Sequence, residues 1–140
     1  MKDLTLSGIL LVSDLDGTFV TDKKTIPARN IEAVRRFMEK GGRFTFATGR
    51  SVMGTLKFTQ EVMPNAPIIT YNGGCIYDCE KRTTLWNTFL DPSALRIIRE
   101  VRSRFPDVGI EVYSSQYVYA VNRNQYTKAH ITFGDLHEFE

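Results

Sequence analysis

Residues 10–20, LLVSDLDGTFV, decide how the rest of the chain is read. An apolar run passes directly into two aspartates one residue apart, Asp14 and Asp16, and then into Gly17-Thr18. Two carboxylates held that close repel each other, so a fold that keeps them needs a counter-charge, commonly a metal ion or a charged reaction. The run leading into them, GILLVSD (residues 8–14), is continuous rather than alternating. That pattern suits a parallel strand covered on both faces.

Working outward, PARNIEAVRRFMEKGG (residues 27–42) reads as a helix with Pro27 in its first turn, Gly41-Gly42 as its stop, and Ile31, Val34, Phe37 and Met38 as its buried stripe. RFTFATGR (residues 43–50) is a second strand ending in Thr48-Gly49. Ser51 can cap a helix over residues 52–62, weakened by Gly54. APIITYNGG (residues 66–74) is a third strand that ends in a turn. Strand, helix, strand, helix, strand predicts a Rossmann-like parallel α/β sheet with right-handed crossovers.

The character then changes. CIYD and TTLWNTF pair as a hairpin around CEKR (residues 79–82). A helix follows in residues 90–105, capped by Asp91, with Pro92 at its first position and a stripe of Leu95, Ile98, Val101 and Phe105. GIEVYSSQYVYAV (residues 109–121) reads as two antiparallel strands about Ser114-Ser115. Helix on antiparallel strands is an α+β arrangement, so a boundary is placed in residues 89–92, dividing the chain into domains 1–89 and 90–140.

Composition bounds the function. The 140 residues are 42% hydrophobic and 24% charged with net charge +2, a soluble globular profile without the basic field of a nucleic-acid binder. No apolar run approaches the roughly 18 residues of a membrane span. The N-terminal apolar run is short, flanked by acidic residues and followed by no small-residue cleavage site, so it reads as a strand and the expected location is cytoplasmic. Cys75 and Cys79 have only His130 and His137, far along the chain, as further soft ligands. They read as structural thiols, with a disulfide disfavoured in the cytosol.

Ligands of open parallel sheets bind beyond the carboxyl ends of the strands. Here those ends carry Asp14 and Asp16, then Thr48 and Gly49, then Asn72 and Gly73. A hard divalent cation such as Mg²⁺ would relieve the carboxylate repulsion and prefers oxygen ligands. The Thr48 hydroxyl and the Gly49 amide suit a phosphate oxygen. A bare Asp-Gly surface turn is the plainer reading of the first loop alone; the convergence of three loops argues against it.

At these residues the chain resembles the haloacid dehalogenase (HAD) superfamily. DLDGTF is similar to its first motif, FATGR to its second, and TYNGG to the Cof-type branch of Mg²⁺-dependent phosphatases of sugar phosphates and related small phosphomonoesters. The segment after residue 89 is similar to the start of that branch's α/β cap domain. The resemblance implies Asp14 as nucleophile, Asp16 as the acid and base, and Mg²⁺ held by the Asp14 carboxylate and the Asp16 backbone carbonyl. It also implies Thr48 on a phosphoryl oxygen and Asn72 and Gly73 shaping the substrate pocket. Arg50 could face the site or the helix exterior.

The family's third and fourth motifs, a lysine that neutralises the phosphoryl group and an acidic pair that completes the metal shell, find no match. The Gly-Asp of TFGDLHEFE (residues 132–140) comes too early and no core strand leads into it; Lys128 falls in the cap region. The expectation is therefore an incomplete HAD core with a truncated cap, whose apolar first strand is left with an open edge and bare faces. Self-association or a complementary C-terminal chain would cover that edge. Two function classes follow: a phosphatase of small phosphorylated metabolites, impaired as an isolated chain, or a catalytically inactive fragment or binding remnant. A response-regulator receiver also places aspartates at strand ends, but Asp-X-Asp-Gly-Thr and the β-rich second segment do not fit it.

Overall fold

The structure is a computed structural model that describes residues 5–114 and 118–132. The chain divides into two compact units, Met1–Thr88 and Phe89–Glu140.

In the first unit, β1 (Leu10–Ser13) runs parallel to β2 (Arg43–Phe46), with Leu11 opposite Phe44 and Ser13 opposite Phe46. Between them lies α1 (Ala28–Glu39), which turns Val34 into the core and packs Ile31 and Met38 against it. Pro27 precedes the helix instead of opening it. Its ψ of 136° is extended, so it serves as the cap residue. The helix stops where Gly41 takes a φ of 87° and the Gly41 and Gly42 N–H groups turn back to the Met38 and Phe37 carbonyls.

The next helix, α2 (Val52–Thr59), starts as read: the Ser51 Oγ accepts the Gly54 N–H at 3.0 Å. Gly54 is buried, so tertiary packing offsets its poor helix propensity. The helix ends short of residue 62. Strand β3 (Ile68–Thr70) meets β2 through a parallel bridge between Ala47 and Ile69. The contact is reinforced where the Thr45 hydroxyl donates to the Pro67 carbonyl at 2.6 Å. The hairpin of β4 (Cys75–Asp78) and β5 (Thr83–Asn87) is present, and β4 pairs antiparallel with β3. The sheet is therefore extended by reversal after three parallel strands.

Leu15, Phe44, Phe46 and Ile68 are wholly buried, each contributing about 1.5–3 kcal/mol of transfer free energy. Phe19, Phe44 and Phe46 form an aromatic cluster, with the Phe44 and Phe46 rings edge to face at 4.9 Å. The first strand has no such cover. Leu10 is 53% exposed, and Ile9, Leu11 and Val12 are close behind. Among the described residues β1 pairs with β2 alone, so its second edge and its faces stay open.

The second unit contains α3 (Ala94–Arg104), β6 (Ile110–Tyr113), β7 (Val118–Asn122) and α4 (Gln125–Thr132), with β6 antiparallel to β7. The connection read at Ser114-Ser115 runs into residues 115–117, outside the described residues, as do residues 133–140. Asp91 does accept the Ser93 N–H at 2.8 Å, but it closes a turn, and the helix begins only at Ala94. The apolar stripe is narrower than its spacing suggests. Ala94, Ile98 and Val101 are half-buried, while Leu95 and Phe105 are 58% and 56% exposed. Helix α4 was not foreseen. It is opened by a reciprocal cap in which the Asn124 N–H donates to the Thr127 Oγ1 and the Thr127 N–H to the Asn124 Oδ1.

Two buried groups generate predictions. The Thr70 hydroxyl is fully buried with no hydrogen-bond partner among the described residues. Leaving such a group unpaired costs about 1–3 kcal/mol. Thr70→Val is expected to raise stability by about 1 kcal/mol, read as a higher urea midpoint at unchanged slope; a lower midpoint would show that the hydroxyl is satisfied. Cys75 and Cys79 are free buried thiols, and burial pushes the Cys79 thiol up to about 11. Native protein at pH 8 is expected to resist iodoacetamide at Cys79 until denaturant is added, as followed by mass spectrometry. Because folding favours the neutral thiol, its contribution to stability is complete below the ordinary value of 9.0 and declines as pH rises toward about 11.

Candidate active site

The site is built around Leu15. Its side chain is wholly buried, and its carbonyl accepts the N–H groups of Thr18, Phe19 and Val20 at 3.4, 3.0 and 3.0 Å. Gly17 takes a φ of 73° inside this turn, which a residue with a Cβ resists. With Leu15 inside, the aspartates on either side are turned off the core. Asp14 is exposed, its Oδ1 accepting the Leu15 N–H at 2.7 Å, and Asp16 is partly buried.

Backbone bonds bring the other two strand ends alongside. The Ala47 N–H donates to the Ser13 carbonyl at 2.9 Å, and the Thr48 N–H to the Ile69 carbonyl at 3.0 Å. Asp14, Thr48 and Thr70 therefore follow one another along a single sheet edge. The third loop is pinned onto the second, Asn72 N–H to Thr48 carbonyl at 3.1 Å and Tyr71 N–H to Arg50 carbonyl at 3.0 Å. Tyr71, Asn72 and Gly73 hold φ values of 52°, 54° and 95°. Consecutive left-handed residues of this kind persist only where the surroundings impose them. Gly49 fits beneath: a Cβ there would stand 2.9 Å from the Asn72 Oδ1 and displace the amide. The buried Thr48 hydroxyl accepts the Arg50 N–H at 3.2 Å, which leaves its own proton to donate.

Arg50 faces the site. Its Nε donates to the Asp16 Oδ2 at 2.6 Å and its Nη2 to Oδ1 at 2.9 Å, and its guanidinium lies 5.0 Å over the Phe58 ring. Lys24, a residue no motif marks, adds its ammonium to the Asp16 Oδ1 at 2.5 Å. It arrives on a turn in which the Thr21 N–H meets the Thr25 carbonyl and Lys24 itself takes a φ of 58°. Only the run of Lys23-Lys24 after Asp22 hints at it in the sequence, and such runs are ordinary surface.

The repulsion between the aspartates is thus relieved by the protein's own cations at Asp16. Hydrogen bonding from Arg50 dominates and, with Lys24, holds the Asp16 carboxyl well below the usual carboxylate range against the opposing effect of burial. As arranged, Asp16 can accept a proton, and can donate one only after a cation lets go. Among the described residues no lysine or arginine pairs with Asp14. A single exposed carboxylate beside backbone carbonyls suits a hard cation that retains most of its water. The Asp16 side chain, already doubly paired, does not serve as a second carboxylate ligand in this arrangement. No cluster of three or more acidic, histidine or cysteine side chains is present among the described residues.

A family model for haloacid dehalogenase-like hydrolases matches residues 11–139. The chain belongs to that family. It is 37% identical over 76 residues to the pyridoxal phosphate phosphatase YbhA of Escherichia coli, covering 54% of this chain and 28% of that one. It is 30% identical over 105 residues to the 5-amino-6-(5-phospho-D-ribitylamino)uracil phosphatase YwtE of Bacillus subtilis, covering 75% and 35%. A haloacid dehalogenase-like hydrolase from Bacteroides thetaiotaomicron superposes with a TM-score of 0.77 at 26% identity, over 94% of this chain and 51% of that one. The chain thus covers between 28% and 51% of the length of these relatives. No helix among the described residues is long and apolar enough to cross a membrane.

Leu15→Ala tests the anchor. A truncation at a fully buried leucine costs about 2–5 kcal/mol, and a loss in that range is expected by denaturant unfolding. A loss below about 1 kcal/mol would mean that the turn is held by its backbone bonds alone.

Proposed function

We propose that this chain carries the reacting carboxylate of a Mg²⁺-dependent phosphatase of small phosphomonoesters, such as sugar or polyol phosphates. The observation that carries the reading is the contrast between the aspartates: Asp14 exposed and unpaired with any described cation, Asp16 clamped by Arg50 and Lys24. A nucleophile must be accessible and ionised, and a base must be oriented; the two environments separate those roles.

An Asp14 oxygen attacks phosphorus, the bond to the leaving oxygen breaks, and that oxygen takes its proton from the Asp16 carboxyl, which gains it from solvent once one of its cations lets go and is left ionised for the next step. Water then attacks the aspartyl-phosphate, Asp16 takes the water's proton, and the phosphorus–Asp14 bond breaks to release phosphate. Thr48 donates its hydroxyl to a phosphoryl oxygen, with the Gly49 amide beside it, and Asn72 and Gly73 border the substrate. Mg²⁺, held by the Asp14 carboxylate and the Asp16 carbonyl, would neutralise phosphoryl charge when bound.

The second reading is a phosphate-binding remnant without turnover. It is favoured by the state of the Asp16 carboxylate, which Arg50 and Lys24 already neutralise and which must shed a cation before it can act as an acid. The test is hydrolysis of an aryl phosphate by the purified chain with and without Mg²⁺, alongside Asp14→Asn. Mg²⁺-dependent turnover, reduced at least a thousandfold in Asp14→Asn, is expected. A folded chain that binds phosphate but shows no turnover at any Mg²⁺ concentration would establish the remnant.

A further inference from the structure

Asp16 carries one negative charge and two cations. Arg50 alone satisfies it, with one donor to each oxygen. The Lys24 ammonium is added to Oδ1, which Arg50 already occupies. The two cations differ in setting. The Arg50 side chain is 11% exposed and fixed against Phe58, and its carbonyl is bound by the Tyr71 N–H. The Lys24 side chain is 39% exposed, at the end of a flexible four-carbon stem on a surface turn. Removing Lys24 would leave the carboxylate paired; removing Arg50 would not leave it so well held. The ammonium is therefore surplus to Asp16, and its contact with that carboxylate brings it to the loop that carries Asp14.

We propose that Lys24 is a phosphoryl-binding residue, which leaves the Asp16 Oδ1 for an oxygen of the substrate's phosphate while Arg50 keeps Asp16 in place. The proposal rests on the phosphatase reading and adds a ligand-binding group to it. Asp14 and Asp16 balance Arg50 and Lys24 in charge, so a divalent ion at Asp14 gives the site a charge that matches a phosphomonoester dianion; without Lys24 it falls one short. The residue would thereby bring positive charge to the phosphoryl group from within the first turn after the aspartates.

The test is titration of the isotopically labelled chain with inorganic phosphate in the presence of Mg²⁺, followed by NMR, for wild type and for Lys24→Met, Lys24→Arg, Lys23→Met and Thr48→Val. A charge-assisted hydrogen bond implies a weakening of about tenfold or more in Lys24→Met. Lys24→Arg is expected to recover most of the affinity. Lys23→Met, which deletes the same charge one residue away on the same turn, is expected to stay within about twofold. If Thr48→Val weakens binding while Lys24→Met binds as wild type, Lys24 only ties its turn to Asp16 and the proposal falls, with the phosphatase reading intact. If folded wild type binds no phosphate, both fall together. Should Lys24→Met lose its fold, Lys24→Arg decides: binding near wild type supports the proposal, and loss of binding in a folded Lys24→Arg overturns it.

Discussion

The burial of Leu15 is the constraint on which the site depends. A wholly apolar side chain stands between two aspartates, and the core accepts it completely. Its neighbours must then leave the core on either side, and the carbonyl that gathers three N–H groups fixes how sharply they do so. The cluster of Phe19, Phe44 and Phe46 grips the same turn from beyond Gly17. The geometry of the charged groups is thus set by hydrophobic packing and backbone hydrogen bonding, and the ionic contacts are made within that frame.

The remaining loops obey the same logic. Thr48, Gly49 and Arg50 are placed by the pairing of β2 with β3, and the left-handed run of Tyr71 to Gly73 is held by N–H groups reaching back to Thr48 and Arg50. Charge is then distributed unequally over a frame that is already rigid. One carboxylate is neutralised twice and its neighbour is left exposed to solvent, so two chemically identical side chains acquire different capacities. The counter-charge that adjacent aspartates require comes, for Asp16, from within the chain.

Much of this was legible in the sequence wherever the signal is local. The continuous apolar run before Asp14, the glycines after α1, the Ser51 cap and the hairpin around residues 79–82 all depend on neighbours within a few positions. The three strand ends could be aligned because parallel sheets gather them. Signals that depend on partners distant in sequence were not legible. The pairing of β4 with β3 follows from a left-handed turn in which Asn72-Gly73 is a hairpin signal that could have been read, whereas Tyr71 gives no hint of its conformation. Lys24 reaches Asp16 because the intervening turn folds back, and Leu95 and Phe105 stay exposed because spacing alone cannot show what a helix face meets. Asn124 and Thr127 did carry a capping pattern, and α4 could have been read from it. Arg50 could be placed only by the structure.

The open faces of β1 have a consequence for alignment. In a half-covered strand, alternation of apolar and polar residues selects one phase of pairing, because a slip by one position exchanges inside for outside. Residues 9–12 offer no such selection, being apolar throughout and exposed throughout. Within the strand itself a slip would meet little resistance. It is forbidden downstream, where sliding by one residue would push Asp14 or Asp16 into the place now filled by Leu15. The phase of β1 against β2 is therefore kept by the step from carboxylate to leucine to carboxylate, and the same three residues that present the chemistry also keep the strand in frame.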